Sequence, residues 1–245
     1  MEPQIVMPDF SGHHNADIKA SFDRLTLEAG YKDLSTVMLV PAFGSIPTKV
    51  VASWMNMFSP PNGKFLRMWA LGLEVGQAFS LSIEQILAHP ELSKFKYLLT
   101  VEHDNCPPAD GLVKLLQRME AHPEFACIGG LYYTKGHGGV PQIWGDPKDP
   151  VINFRPQRPD PNGGLVECCG TGMGFNLWRL DMFRDEKLRK PWFKTVAEAG
   201  VGVGTQDLYA WSNFRENGYR CAIDCSVRVG HYDLDGKFGI PDYNW

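Results

Sequence analysis

Residues 96–105 read KYLLTVEHDN, a largely apolar run that ends in two acidic residues on either side of a histidine. The run is too short for an independent helix and is apolar on both faces, so it predicts a buried strand of a parallel sheet. Glu102 and Asp104 follow at the carboxyl end of that strand, where open α/β sheets place their ligand sites. Two carboxylates there can hold a divalent cation that keeps positions for phosphate oxygens or water. A strand that ends in ordinary solvated acids would show the same short pattern.

The surrounding sequence alternates between strand-like and helix-like segments. Buried strands are predicted at residues 37–40, 65–70 and 125–129, and helices at residues 50–58, 80–88 and 110–121. Asp110 is in place to cap the last of these helices. Alternation at this pace is typical of βαβ units. The sequence therefore predicts one α/β domain with a mostly parallel, mixed central sheet that is flanked by helices.

Composition limits the classes of function. The chain has 245 residues, is 44% hydrophobic and carries a formal net charge of -4, which gives no general attraction to nucleic acid or anionic membranes. No apolar run approaches membrane-spanning length, and the amino terminus lacks the plan of a signal peptide. The six cysteines include no Cys-x-x-Cys pair, as expected for reduced thiols. These features predict a cytoplasmic protein without a membrane span.

Three later segments carry further polar and glycine-rich patterns. Residues 130–164 are rich in proline and glycine, which predicts a long loop or an irregular hairpin. Residues 170–174 read GTGMG and permit a close approach of the backbone to a ligand, although turn glycines would look the same. Asp207 falls in the first turn of a predicted helix, where a helix-start role would also explain it. His231 ends a predicted strand, and a lone histidine is more often structural than a ligand.

Taken in order, these segments resemble the GT-A family of nucleotide-sugar-dependent glycosyltransferases, especially the bacterial and viral members of its large inverting family. The resemblance rests on the strand ending in EHDN, the GTGMG loop, PWF at 191–193, QD at 206–207, GY at 218–219 and VGH at 229–231. It covers roughly residues 37–232. It implies a single Rossmann-like GT-A domain over residues 1–245, in the cytoplasm of a bacterium or of a virus-infected host cell.

The resemblance also implies a division of that domain. Residues 1–34 would form a peripheral amino-terminal arm and residues 35–130 the nucleotide-binding half. Residues 131–231 would form the acceptor and catalytic half, and residues 232–245 a carboxyl-terminal tail.

The resemblance assigns roles to individual residues. Asp104 and His231 would ligate Mn²⁺ or Mg²⁺, with Glu102 facing the nucleotide ribose or the waters of the metal. Asp207 would be the catalytic base that deprotonates the acceptor hydroxyl. Donor-binding positions would be Pro41, Ala42 and Phe43 at the nucleotide base, Glu102 and His103 at the strand end, and Gly170, Thr171, Gly172 and Met173 at the donor sugar and acceptor. Strand alternation points His103 away from its two acidic neighbours, which favours a structural role for it.

The function implied is a metal-dependent, inverting transfer of a sugar from a nucleotide-diphosphate sugar, most simply a UDP-sugar, to an acceptor hydroxyl. Two residues depart from the family pattern, because Glu102 replaces an aspartate and Gln206 replaces a glutamate. The acceptor would be a glycan or a hydroxymethylated DNA base of a virus. For DNA, Arg155, Arg158 and the basic residues within 179–194 would contact phosphate.

Two other functions fit parts of the same pattern. A nucleotide-sugar-binding module without turnover is compatible with the two departures. A nucleotidyltransferase shares the strand-end carboxylates, but it requires a glycine-rich and basic loop after the first strand, and residues 42–46 read AFGSI.

Overall fold

A computed structural model describes residues 33–60, 64–136, 138–198 and 202–233. Most of the predicted arm, and residues 234–245 of the predicted tail, lie outside these ranges. Within them the four α-helices are α1 (Thr48–Asn56), α2 (Val75–Ala88), α3 (Gly111–Ala121) and α4 (Gln206–Glu216). The strands are β1 (Thr36–Ala42), β2 (Phe65–Leu71), β3 (Tyr97–Val101), β4 (Asn105–Cys106), β5 (Cys127–Leu131), β6 (Ile143–Trp144), β7 (Leu165–Cys168), β8 (Gly170–Thr171), β9 (Phe175–Arg179), β10 (Val196–Glu198), β11 (Gly202–Gly204), β12 (Cys221–Arg228) and β13 (Gly230–His231).

Seven strands form the central sheet, in the order β2-β1-β3-β9-β5-β12-β7. Five of them, β1, β2, β3, β5 and β12, run in the same direction, whereas β9 and β7 run against their neighbours. The prediction of a mostly parallel, mixed α/β sheet is therefore confirmed. The carboxyl ends of the five parallel strands meet at one edge of the sheet, and the loop that enters β9 lies at the same edge.

Helices cover both faces of the sheet, because the parallel strands are apolar on both sides. One core contains Val37, Leu39 and Leu98 from the strands, with residues of α2 and α4. The other contains Met38 and Leu99, with residues of α1 and α3. Alternate residues of β1 thus enter opposite cores, as the two-residue period of a strand requires.

One predicted boundary and one predicted cap differ from the structure, whereas the irregular hairpin predicted within residues 130–164 is present. Helix α2 begins at Val75 rather than at residue 80, because the Glu74 side chain accepts a hydrogen bond from the backbone N–H of Gln77. Asp110 stands before α3 but its side chain makes no capping bond there; it lies 2.7 Å from the Lys114 ammonium. Residues 130–164 contain the short strand β6 and an irregular hairpin, whose two arms meet at a bridge between Tyr133 and Pro141.

A small two-stranded ladder completes the carboxyl edge of the sheet. Strand β4 pairs antiparallel with β13, which places Asn105 opposite His231. Asn105 is fully buried, and its backbone carbonyl accepts a hydrogen bond from the Trp54 indole of α1. The ladder therefore holds the segment after β3 against the last described strand of the chain.

Candidate functional site

The segment that follows β3 is a turn, not an extension of the strand. Strand β3 ends at Val101, and the backbone N–H of Asn105 donates to the carbonyl oxygen of Glu102 over 3.0 Å. The backbone N–H of Glu102 donates to the Gly174 carbonyl oxygen, 3.2 Å away. Because the strand alternation stops at residue 101, His103 lines the same pocket as Glu102 and Asp104, and the expectation that it points away from them is wrong.

The Asp104 carboxylate is the centre of the polar contacts at this edge. Its Oδ2 atom lies 2.6 Å from the Lys135 ammonium and 3.6 Å from Nε2 of His231. Burial alone would raise the pKa of Asp104, but the contacts with His231 and Lys135 outweigh it and hold that pKa well below its usual range. Oδ1 is buried and has no hydrogen-bond partner among the described residues.

The orientation of His231 is fixed by a backbone contact. Its Nδ1 atom lies 2.7 Å from the carbonyl oxygen of Tyr133. A carbonyl oxygen only accepts, so Nδ1 carries a proton, and Nε2 is the ring atom that faces Asp104. The Tyr132 ring packs edge-on against the imidazole, with centroids 5.5 Å apart. A histidine held by a carbonyl on one nitrogen is typical of metal ligands.

These donors fit a divalent cation that takes few ligands from the protein. Within the described ranges the Oδ1 atom of Asp104 has no hydrogen-bond partner, and Nε2 of His231 faces the same carboxylate. In the described part of the chain, no group of three or more His, Cys, Asp or Glu side chains is placed to hold a metal ion. An ion bound between Asp104 and His231 would therefore need further ligands from a bound molecule or from water.

Glu102 lies in a strongly negative environment. Burial, together with the charges of Asp104 and Asp207, raises its pKa to about 8 against the opposing effect of Lys135. Of the three carboxylates singled out in the sequence, Glu102 thus lies within electrostatic reach of the other two.

Asp207 lies in the first turn of α4 and is 8% exposed. Its Oδ1 accepts a hydrogen bond from the backbone N–H of Leu208 over 2.9 Å, and the Thr205 hydroxyl also bonds to the carboxylate. Burial is the largest influence and raises the pKa of Asp207, and the hydrogen bonds reduce that effect. A carboxylate with a raised pKa in a site of this kind suits the role of a general base.

An apolar pocket of about 260 Å³ lies beside the carboxylates. Its walls come from the loop after β1, the start of α2 and the turn after β3. The lining residues are Pro41, Ala42, Phe43, Leu73, Val75, Glu102, His103 and Asp104. The predicted nucleotide-base residues are therefore brought together with the predicted metal residues. Leu73 and Val75 were missed in the sequence, where they read only as ordinary apolar residues before a helix.

The glycine-rich loop approaches the site through its backbone. The Thr171 and Met173 side chains are buried, so they are not free to line a cleft. A Cβ atom at Gly170 would lie 2.9 Å from the Trp211 ring, and one at Gly172 would lie 2.2 Å from the Tyr132 hydroxyl. These glycines therefore permit close packing against aromatic side chains, which is part of the turn-glycine alternative considered for the sequence.

Two further polar residues of the site gave no recognisable sequence signal. Lys135 reaches Asp104 from a proline- and glycine-rich segment where no motif marks it. The hydroxyl of Tyr132 accepts a hydrogen bond from the backbone N–H of Gly174 over 3.0 Å. Burial, together with the charges of Glu102 and Asp207, raises the pKa of this hydroxyl. The only local feature of Tyr132 in the sequence is its position directly after the buried strand β5.

The basic residues predicted for a DNA surface divide into two groups. Arg179 donates to the backbone carbonyls of Phe125 and Met119, so these guanidinium N–H groups hold the end of α3. Arg155 and Arg158 are exposed.

Comparison with known proteins bears on the fold. No protein-family model matches this chain, and no curated protein sequence matches it. Among solved structures, A197 from STIV matches with a TM-score of 0.57 and 15% identity, over 81% of this chain and 86% of that one. S. aureus TarS 1-349 in complex with UDP-GlcNAc matches with a TM-score of 0.50 and 10% identity, over 83% of this chain and 60% of that one. The chain thus spans less than two thirds of the TarS structure. These matches show a Rossmann-like fold of the GT-A type.

No helix in the described ranges has the length and apolar character needed to cross a membrane.

Proposed function

We propose that this protein is a metal-dependent, inverting glycosyltransferase that moves a sugar from a UDP-sugar to an acceptor hydroxyl. One observation carries the proposal: Asp104 lines an apolar pocket at the carboxyl edge of the sheet, with His231 3.6 Å from its carboxylate and Asp207 close enough to raise the pKa of neighbouring Glu102. The bound UDP-GlcNAc of TarS, a protein with the same fold, supports the choice of a nucleotide-sugar donor.

The pocket and the carboxylate turn suit the two parts of a nucleoside diphosphate. Pro41, Ala42 and Phe43 offer apolar surface to a flat base, and Phe43 is 74% exposed and open to such a contact. Asp104 and His231 would hold Mn²⁺ or Mg²⁺. That ion would neutralise the negative charge that develops on the leaving diphosphate.

Asp207 is the proposed base. Its ionised carboxylate accepts the proton of the acceptor hydroxyl while that oxygen forms a bond to the anomeric carbon. The bond from the anomeric carbon to the diphosphate oxygen breaks, its electron pair stays on that oxygen, and UDP leaves. A single displacement of this kind inverts the anomeric centre. Glu102, with a pKa of about 8, is partly protonated at neutral pH and can donate to a ribose oxygen.

The acceptor is proposed as a glycan or as a hydroxymethylated base of viral DNA. Exposed Arg155 and Arg158 are available for phosphate contacts in the second case. Binding of a DNA duplex that weakens steeply between low and moderate salt would support the DNA acceptor, whereas no binding at low salt would exclude it.

The decisive test is turnover. Purified protein is mixed with Mn²⁺ and each of a set of UDP-sugars, and release of UDP is followed with and without acceptor candidates. Acceptor-dependent or hydrolytic release by the wild type that Asp207→Asn reduces, while UDP binding persists, supports the proposal. Binding without any release would favour the binding module, and release of pyrophosphate from a nucleoside triphosphate would favour the nucleotidyltransferase.

A further inference from the structure

Lys135 is the cationic side chain nearest to the proposed metal position. It follows the first arm of the irregular hairpin, in which the Thr134 backbone N–H donates to the Val140 carbonyl and the Val140 N–H donates to the Thr134 hydroxyl, each over 2.9 Å. The same hairpin supplies the Tyr133 carbonyl that orients His231. One short segment of backbone therefore fixes the histidine and presents the lysine.

The contact between Lys135 and Asp104 lies largely out of solvent. Their side chains are 19% and 11% exposed, and their charged atoms are 2.6 Å apart. A solvent-exposed ion pair contributes little to stability, but a carboxylate as buried as that of Asp104 needs a partner of opposite charge. The charge of Lys135 also lowers the pKa of Glu102, which burial and two neighbouring carboxylates raise. The ammonium is thus a counter-ion for two acids, Asp104 in direct contact and Glu102 at longer range.

The ammonium and a divalent cation would compete for the same carboxylate. Lys135 contacts Oδ2 of Asp104, and Oδ2 is also the atom that Nε2 of His231 faces at 3.6 Å. An ion that ligates both Asp104 and His231 is repelled by the ammonium beside it and shares the negative charge of the same carboxylate. A lysine side chain is a flexible point charge with three donors, so it can exchange one anionic partner for another.

We propose that Lys135 serves as a replaceable counter-ion: it neutralises Asp104 before the metal binds, and it binds a diphosphate oxygen of the donor once the metal has taken Asp104. The inference rests on the proposed function and adds to it a specific diphosphate-binding residue. The metal alone binds weakly, because it must displace the Lys135 ammonium from Asp104. When the donor is present, its diphosphate accepts the displaced ammonium, so metal and donor each strengthen the binding of the other.

The test measures Mn²⁺ and UDP separately by calorimetry on the full chain. Lys135→Met removes the charge and keeps an apolar stem. Lys148→Met is the matched control, because Lys148 is an exposed lysine from the same half of the chain. Relative to wild type, Lys135→Met should bind Mn²⁺ alone roughly tenfold more tightly and UDP in saturating Mn²⁺ roughly tenfold or more weakly, as expected for a lost bond between charged groups. Lys148→Met should change neither affinity.

The opposite signs distinguish this role from simple structural support, which would weaken both ligands. Unchanged or weaker Mn²⁺ binding by Lys135→Met, or unchanged UDP binding, overturns the proposal. If that variant is unfolded by circular dichroism, Lys135→Gln is measured with the same criteria. Failure of the wild type to bind UDP at all would refute the proposed function and the phosphate contact, whereas the Mn²⁺ titration would still decide whether Lys135 competes with the metal.

Discussion

Oδ2 of Asp104 and Nε2 of His231 lie 3.6 Å apart, although the two residues are far apart in the sequence. The Nδ1–H group of the imidazole donates to the Tyr133 carbonyl, so Nε2 is the ring atom that faces the carboxylate. A carboxylate as buried as that of Asp104 needs a cation near it. Lys135 provides one in this structure, and a divalent metal ion would provide another.

Replacing one member of this pair tests the metal site. Asp104→Asn and His231→Gln should each weaken Mn²⁺ binding at least tenfold, because each removes one of two proposed protein ligands. UDP release should fall in parallel, and excess Mn²⁺ should restore part of it. Chelation of the wild type should abolish release. Undiminished turnover after chelation would show that the reaction proceeds without the metal.

Asp207→Asn tests the base. The amide keeps the size and the hydrogen-bonding capacity of the side chain but cannot accept the proton, so kcat should fall by about 10²–10⁴ with little change in UDP affinity. Asp181→Asn is a suitable control, because Asp181 lies on the surface with an 89% exposed side chain paired with Arg184. An Asp207→Asn variant with normal kcat would mean that another group removes the proton.

The pH dependence of turnover follows from the raised pKa of Asp207. The base acts when ionised, so activity is present above its pKa and is lost as the pH falls through it. Because burial raises that pKa, the acid limb of kcat/KM should lie above the ordinary aspartate value of 3.8. Thr205→Val removes a hydrogen bond that lowers the pKa, and it should move the limb to still higher pH. A limb that moves to lower pH in this variant would contradict the assignment.

Gly170→Ala tests the packing beneath the site. A methyl group there would lie 2.9 Å from the Trp211 ring, whose indole N–H donates to the Thr171 carbonyl over 3.0 Å. Overpacking of this kind costs about 1–3 kcal/mol in the free energy of unfolding, which urea denaturation measures. Gly204→Ala is the control, because its nearest contact would be an ordinary 3.7 Å. Equal stability of the two variants would show that Trp211 moves freely.

The alternation of apolar segments along the sequence predicted the sheet and the acidic residues at its edge, because both depend on local sequence pattern. Strand β3 and the acids after it are adjacent in the chain, so one short segment predicts their position. The position of β9, antiparallel between β3 and β5, could not be predicted, since pairing partners are chosen by tertiary packing. Lys135 could not be predicted for the same reason, because its contact with Asp104 depends on how the hairpin packs against the sheet edge.

The ordered set of motifs grouped Asp207 and His231 with Asp104, and in the structure His231 lies 3.6 Å from Asp104 while Asp207 acts electrostatically on Glu102. The motifs could not reveal Leu73 and Val75, which line the pocket at the early start of α2, after the Glu74 cap. Sequence also could not show that Arg179 donates to backbone carbonyls at the end of α3, because those contacts depend on tertiary packing.

The ladder between β4 and β13 has a consequence for biosynthesis. The ribosome delivers Asp104 long before residues 230 and 231, so the second proposed metal ligand can join the first only after strand β12 has been made. A product that terminates near residue 225 would lack the end of β12 and the buried side chains of Val227 and Val229 as well as the histidine. Completion of the core and delivery of the second proposed ligand therefore occur together during synthesis.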